Sequence, residues 1–464
     1  MKDIIKPIKI CGKMVFPLFE GGKGINVTNG TTAGAWANAG GIGTFSAVNA
    51  DSYDEEGNVI PQVYKSTNRM DRQKELIKYA IDGGISQAKI AYEKAAGNGL
   101  INMNVLWEMG GCEEILHGIL SKVKHMINGV TCGAGMPYKL AEICAKYETF
   151  YFPIVSSARA FSALWKRSYK KFPHLLGGVV YEDPWKAGGH NGLSNNEDPN
   201  MPQDPYERVV ELRKHMNSVG MEDVPIIIAG GVWHLKDWKD YIDNEEVGKV
   251  AFQFGTRPLL TQESPVGKAW YDKIMSLKED DVVLNKFSPT GFYSSAVNNK
   301  FMKELYARSS RQVSFSSTCM DDFNVEVKVK NKKFFMKKED VSKVESWIAD
   351  GFDSAMRTPD NTVIFVSEEK EKQIKKDQFG CMGCLSQCQF SNFAQNEKGN
   401  TGRLPDPRSF CIQKALQSIG HGGSIEDNLM FSGHSAFKFA QDPFYKGGFL
   451  PTVKELFDRI KTGE

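Results

Sequence analysis

The 464-residue chain has no apolar run approaching the ~20 residues of a membrane span. Residues 1–12 also lack the hydrophobic stretch of a signal peptide. The expectation is a soluble, cytoplasmic protein without a membrane partner, in a compartment where thiols stay reduced. Charge of one sign is missing too: 58 Lys and Arg against 56 Asp and Glu leave a net +2. That gives no broad basic field for nucleic acid and no acidic excess of the kind that keeps a chain disordered. Internal repeats, heptads and low-complexity tracts are absent. No Gly-x-Gly-x-x-Gly follows the first predicted strand, which weakens a dinucleotide-binding Rossmann reading.

What is present is a recurring unit: a short apolar run, a Gly or Pro break, then a helical pattern. The runs predict eight strands: Met14–Leu18, Gly41–Ser46, Ile101–Val105, Asn128–Cys132, Tyr151–Val155, Gly178–Tyr181, Pro225–Ala229 and Lys249–Gln253. Helices are expected at Thr32–Asn38, Asp71–Ala96, Glu113–Lys124, Tyr138–Tyr147, Ala158–Lys170, Pro205–Ser218, Leu235–Asp243 and Val266–Leu277. Apolar strands separated by helices imply parallel pairing buried on both faces. Eight such units close into an α/β fold of the (β/α)₈ TIM-barrel type, with an open doubly wound sheet as the alternative. A boundary near residue 300 separates a barrel at 1–300 from an added α+β segment at 301–464. In that segment Asn324–Met336 reads as a lysine-rich hairpin, Asp340–Met356 as a helix, Thr362–Val366 as a strand and Glu368–Lys376 as a polar helix.

Barrel active sites lie on the loops that follow the strands. Here those loops are glycine-rich: Glu20–Gly24 after the first strand, Gly40–Gly43 around the second, Gly133–Gly135, Gly188–Gly192, Gly230-Gly231 and Gly255-Thr256. Glycine at so many strand ends suggests a flat ligand lying close to bare main chain. The amides of Gly230, Gly231, Gly255 and Thr256 suit a phosphate, although the same glycines would also permit tight turns. His190 stands between glycines in Gly188-Gly189-His190-Asn191-Gly192, where an imidazole can take or give a proton.

These residues resemble a known family. Phe16-Pro17-Leu18, Ala39–Gly43, Gly133–Pro137, Ala187–Gly192, Ala229–Val232 and Gly255-Thr256-Arg257 with Glu263-Ser264 occur in the order found in nitronate monooxygenases, formerly 2-nitropropane dioxygenases, a family that includes FMN-dependent enoyl-ACP reductases. Ser288-Pro289-Thr290-Gly291 is similar to the post-barrel stretch of longer members. The resemblance implies FMN, with its phosphate over the last two loops and its ring against the first two. It implies flavin contacts from Gly22, Gly41 and Gly189 and from Asn102 or Asn104, and His190 facing the flavin as base toward a small-molecule substrate. Two functions follow: oxidation of an alkyl nitronate with dioxygen, or reduction of an enoyl thioester or similar acceptor with NAD(P)H as donor. Residues 49–66 and 194–204 read as insertions near the site mouth, Ser156-Ser157 stands where many members carry lysine, and the first loop departs from the usual glutamine-containing form.

Of the nine cysteines, Cys11, Cys112, Cys132, Cys144 and Cys319 read as small buried side chains. The other four form Cys381-x2-Cys384-x3-Cys388 followed by Cys411. Sulfur ligands at this spacing suit an iron–sulfur cluster (4Fe-4S) or zinc, with unligated thiols as the third reading. Longer flavoproteins of similar sequence carry a like tail. A third class of function, an RNA-modifying flavoprotein docking nucleic acid on the lysine-rich hairpin, conflicts with the near-neutral charge. The sequence leaves open whether the chain is monomeric or a homo-oligomer.

Overall fold

The computed structural model describes residues 3–464. Eight parallel strands close into a barrel: β1 (Leu18–Glu20), β2 (Ile42–Ser46), β3 (Leu100–Leu106), β4 (Gly129–Gly133), β5 (Phe150–Val155), β6 (Val179–Glu182), β7 (Ile226–Ala229) and β8 (Val250–Phe254). β8 pairs with β1, Phe252 lying opposite Leu18, and this closes the ring. The fold is a (β/α)₈ TIM barrel. Its strands are largely apolar because both faces are covered; all four residues of β7 are buried. Inward-facing Phe19, Leu100, Phe152, Val180, Ile227 and Ala251 form the lowest interior layer.

The first strand differs from its sequence expectation. Lys13–Val15 pairs antiparallel with Ile8–Ile10 across a turn at Cys11-Gly12, and this hairpin lays Ile10 and Val15 over the N-terminal end of the barrel. Pro17 has no N–H for a ladder and offers only its carbonyl, which accepts from Phe252 N at 2.9 Å, so the barrel strand starts after it.

The surrounding helices are α1 (Gly30–Asn38), α2 (Arg69–Ala95), α3 (Cys112–Val123), α4 (Leu140–Lys146), α5 (Ala158–Arg167), α6 (Pro205–Ser218) and, after β8, α7 (Lys268–Met275). Asn29, Asn68, Ser157 and Asp204 cap the first, second, fifth and sixth by accepting a backbone N–H, and Pro205 pre-sets the first turn of α6. In place of the expected helix at Leu235–Asp243 there is a 3₁₀ stretch, Leu235–Tyr241, kinked at Trp238. α5 stops at Arg167, and 3₁₀ turns follow it. Among the described residues no helix is long and apolar enough to cross a membrane.

Beyond α7 the chain forms antiparallel units. Val282–Asn285 and Ser294–Val297 pair, and Gly189–His190 joins their edge. Gln312–Ser314, Thr362–Val366 and Ser354–Arg357 make a three-stranded sheet. The lysine-rich hairpin is present as Val325–Val329 and Lys332–Met336. The helix expected over Asp340–Met356 is Lys338–Ala349; Gly351, at φ 88°, turns the chain so that Ser354–Arg357 becomes a strand. The last helix, Val453–Lys461, returns to the barrel wall, where the Phe457 ring meets Trp36 edge-on at 5.3 Å. Cys112, Cys132 and Cys144 are buried as expected, but Cys319 is exposed, in a loop of small polar residues that buries little, and Cys11 is half-buried.

Candidate active site

At the C-terminal ends of the strands lies a cavity of about 250 Å³. Alternation along the strands places Asn104, Ile154, Glu182, Ala229 and Gln253 on its floor. Residues far along the chain roof it, among them Leu385, Gln413, Leu416, Leu429 and Phe431. Asn49, at the start of the inserted loop, lines the cavity and donates to the Gln413 side-chain oxygen at 2.7 Å, tying the loop to the roof.

One wall is bare main chain. Gly230 and Gly231 adopt φ of 87° and 80°, which only glycine takes without strain. A Cβ built on Gly255 would meet nothing within 4 Å, so this residue leaves open space toward the cavity. Among the described residues, the amides of Gly230, Gly231, Gly255 and Thr256 donate no hydrogen bond within the chain. Backbone donors of this kind, gathered beyond β7 and β8, fit the phosphate of a nucleotide. Next to this wall, Gly21, Gly22, Lys23 and Gly24 line the cavity, Gly21 N donating to Phe254 O at 3.0 Å. A Cβ on Gly22 would stand 2.4 Å from that of Asn104, so the first loop packs directly on β3. The Lys23 ammonium donates to Gly21 O at 2.7 Å and lies 3.8 Å from the Glu20 carboxylate. Burial pushes the Glu20 carboxyl up and the Lys23 ammonium down.

His190 lines the cavity at the edge of the small antiparallel sheet, opposite Ser294. Its Nε2 is 2.6 Å from Ser288 Oγ, which is 2.8 Å from Thr290 Oγ1. The Phe431 ring packs edge-on at 5.4 Å. Burial lowers the imidazole to about 4, so it is neutral at physiological pH. Glu182 carries the opposite shift: burial, with the Asp183 carboxylate beside it, raises its carboxyl to about 8.

The cavity thus gathers His190, Gly22, Asn104, Gly189, Gly230, Gly231, Gly255 and Thr256. Two expected contacts lie elsewhere. Gly41 precedes β2, at the N-terminal end of the barrel, where a Cβ would strike Leu18 O at 2.6 Å and Phe457; its glycine serves packing. Asn102 is one interior layer below Asn104, fully buried, with neither amide atom hydrogen-bonded. Sequence reading did not assign Ser288, Glu182, Gln253 or Phe431. Period-two alternation from Asn104 across the barrel would have found Glu182 and Gln253. Phe431 arrives from the far end of the chain and carries no local signal.

The profile of the family described as nitronate monooxygenase matches residues 7–366. The chain belongs to this family. A probable nitronate monooxygenase of Staphylococcus aureus (strain Newman) is 28% identical over 120 residues, 26% of this chain and 31% of that protein. The chain thus spans about a third of the length of the curated relatives it matches. Among solved structures, FabK from Thermotoga maritima superposes with a TM-score of 0.50 at 14% identity, covering 96% of this chain and 92% of that one. The enoyl reductase domain of MlnA from the macrolactin biosynthesis cluster of Bacillus amyloliquefaciens gives a TM-score of 0.54 at 12% identity, covering 97% and 93%. At these identities the likeness is one of fold.

Proposed function

We propose that this chain is an FMN-dependent oxidoreductase of the nitronate monooxygenase type, acting on an alkyl nitronate or its parent nitroalkane with dioxygen. The observation that carries the proposal is the placement of a neutral imidazole, His190, in one cavity with the unpaired amides of Gly230, Gly231, Gly255 and Thr256. The amides would hold the phosphate; Gly22, Lys23 and Asn104 would meet the ring end. When bound, FMN supplies a two-electron acceptor able to pass electrons on to dioxygen.

The chain's own part is placement and proton handling. With His190 Nε2 committed to the Ser288 hydroxyl, Nδ1 is the ring atom left to take a proton from the carbon beside a nitro group. The Ser288–Thr290 hydroxyl pair fixes the ring plane, and the Phe431 edge keeps water from that side. Glu182, neutral at pH 7, adds no negative charge to a cavity that must admit an anionic nitronate.

A second reading, reduction of an enoyl thioester by NAD(P)H, is favoured by the apolar part of the lining, where Leu106, Met109, Ile154, Leu385, Leu416 and Leu429 suit an acyl chain. Anaerobic mixing separates the two. Rapid bleaching of the flavin by a nitronate, with none by NAD(P)H, supports the monooxygenase reading; bleaching by NAD(P)H alone supports the reductase. The nucleic-acid reading gains nothing from the hairpin, whose Lys330, Lys332 and Lys333 reach Glu368, Glu371 and Glu326.

A further inference from the structure

The metal reading of Cys381, Cys384, Cys388 and Cys411 finds no support in the structure. Among the described residues no three His, Cys, Asp or Glu side chains are placed to hold an ion. These cysteines pack with Leu385, Phe390 and Phe393, where burial raises Cys384, Cys388 and Cys411 and so favours neutral thiols.

A charge without an assigned role lies on the cavity wall. A phosphate group brings roughly two negative charges at pH 7, and backbone amides offset only part of them. Two lining residues carry an ammonium, Lys23 and Lys186. Lys23 is committed within the first loop, donating to Gly21 O beside the Glu20 carboxylate. Lys186 is not: among the described residues its ammonium makes no hydrogen bond, and the Asp183 carboxylate stands 4.0 Å away.

The turn that carries Lys186 follows β6 and is fixed against the amide shelf. Asp183 N donates to Ala229 O at 2.8 Å and Ala187 N to Asp183 O at 3.0 Å. The Asp183 side chain accepts from the Trp185 and Lys186 amides at 2.9 and 3.0 Å. A Cβ built on Gly230 would stand 3.0 Å from that of Asp183, and one on Gly231 would stand 2.8 Å from Lys186 Cδ and 3.2 Å from its Cβ. The lysine stem thus lies along Gly231, and the ammonium, two bonds beyond Cδ, stays near that end of the shelf. Asp183 Oδ2 is buried without a hydrogen-bond partner, so it holds the ammonium in place without taking a hydrogen bond from it. Lysine binds phosphate as a point charge, and this one is free to do so.

We infer that Lys186 is a ligand of the flavin phosphate and makes the shelf selective for FMN over riboflavin, an assignment that rests on the flavin reading above. The test is titration of the full-length chain, stripped of flavin, with FMN and with riboflavin, followed by flavin fluorescence. Lys186→Met should weaken FMN binding about ten- to hundredfold and leave riboflavin binding within about twofold. Added salt should weaken FMN binding to the wild type more than to this variant. Asp183→Asn keeps the acceptor for the turn amides and removes the competing charge, so FMN binding should hold or tighten. Unchanged FMN binding in Lys186→Met, or equal losses for both flavins, overturns the assignment. So does an Asp183→Asn variant that loses FMN as Lys186→Met does, since the pair would then only hold the turn. A wild-type chain that takes riboflavin as tightly as FMN overturns it too. One that takes up neither flavin removes the flavin reading itself, and the assignment with it.

Discussion

Ser288 Oγ stands 2.6 Å from His190 Nε2 across 98 residues of sequence, so the imidazole is oriented by the segment that follows the barrel. His190→Asn removes the proton acceptor while keeping the volume of the cavity wall. Turnover should fall by about 10²–10⁴-fold with FMN content unchanged. Ser288→Ala should cost about tenfold in kcat, the worth of one hydrogen bond, with little change in KM. Steady-state kinetics on both variants checks this; full activity in His190→Asn would remove the mechanism.

The pH dependence has a defined sign on each side. Burial depresses His190 to about 4, so the neutral base persists below the pH at which an ordinary histidine protonates, and the acid limb of kcat should lie near 4. Glu182, raised to about 8, loses its proton above that pH and places a negative charge in the cavity, which should weaken binding of an anionic substrate on the alkaline side. Glu182→Gln should abolish the alkaline limb and leave the acid limb in place. A pH–rate profile of the wild type and this variant decides.

Gly255→Ala separates cofactor binding from folding. The added methyl meets nothing in the protein and φ is not left-handed, so stability should change by less than about 0.5 kcal/mol. FMN affinity should fall by about tenfold, roughly 1.4 kcal/mol, because the methyl enters the space above the amide shelf. Fluorescence titration with FMN, alongside thermal unfolding, measures both.

Phe457→Ala tests the contribution of the last helix to the barrel. The ring is fully buried against Trp36 and Phe16, and its removal should destabilise the fold by about 3–5 kcal/mol in urea unfolding. A loss below about 1 kcal/mol would mean that the helix is peripheral to the barrel's stability.

The barrel was legible because β-branched runs such as Ile226–Ala229 alternate with capped helices such as Pro205–Ser218, and both signals are local. The loops bearing Gly230, Gly255 and His190 were legible for the same reason. The first strand was misplaced because the apolar pattern of residues 14–18 continues through a hairpin and a proline, and only the tertiary position of Pro17 shows where pairing changes. Spacing does not reveal which end of a strand, or which interior layer, a residue occupies, so it could not separate Asn104, which lines the cavity, from Asn102 beneath it, nor show that Gly41 lies at the far end of β2. The roof was illegible: Gln413 and Phe431 reach the cavity through contacts with residues hundreds of positions away.

The most direct test of the flavin shelf is the flavin content of the purified wild-type protein, read by absorption before and after denaturation and again after incubation with FMN. The expected result is a yellow protein that releases, or takes up, stoichiometric FMN. A colourless protein that binds no FMN when it is supplied would contradict the account.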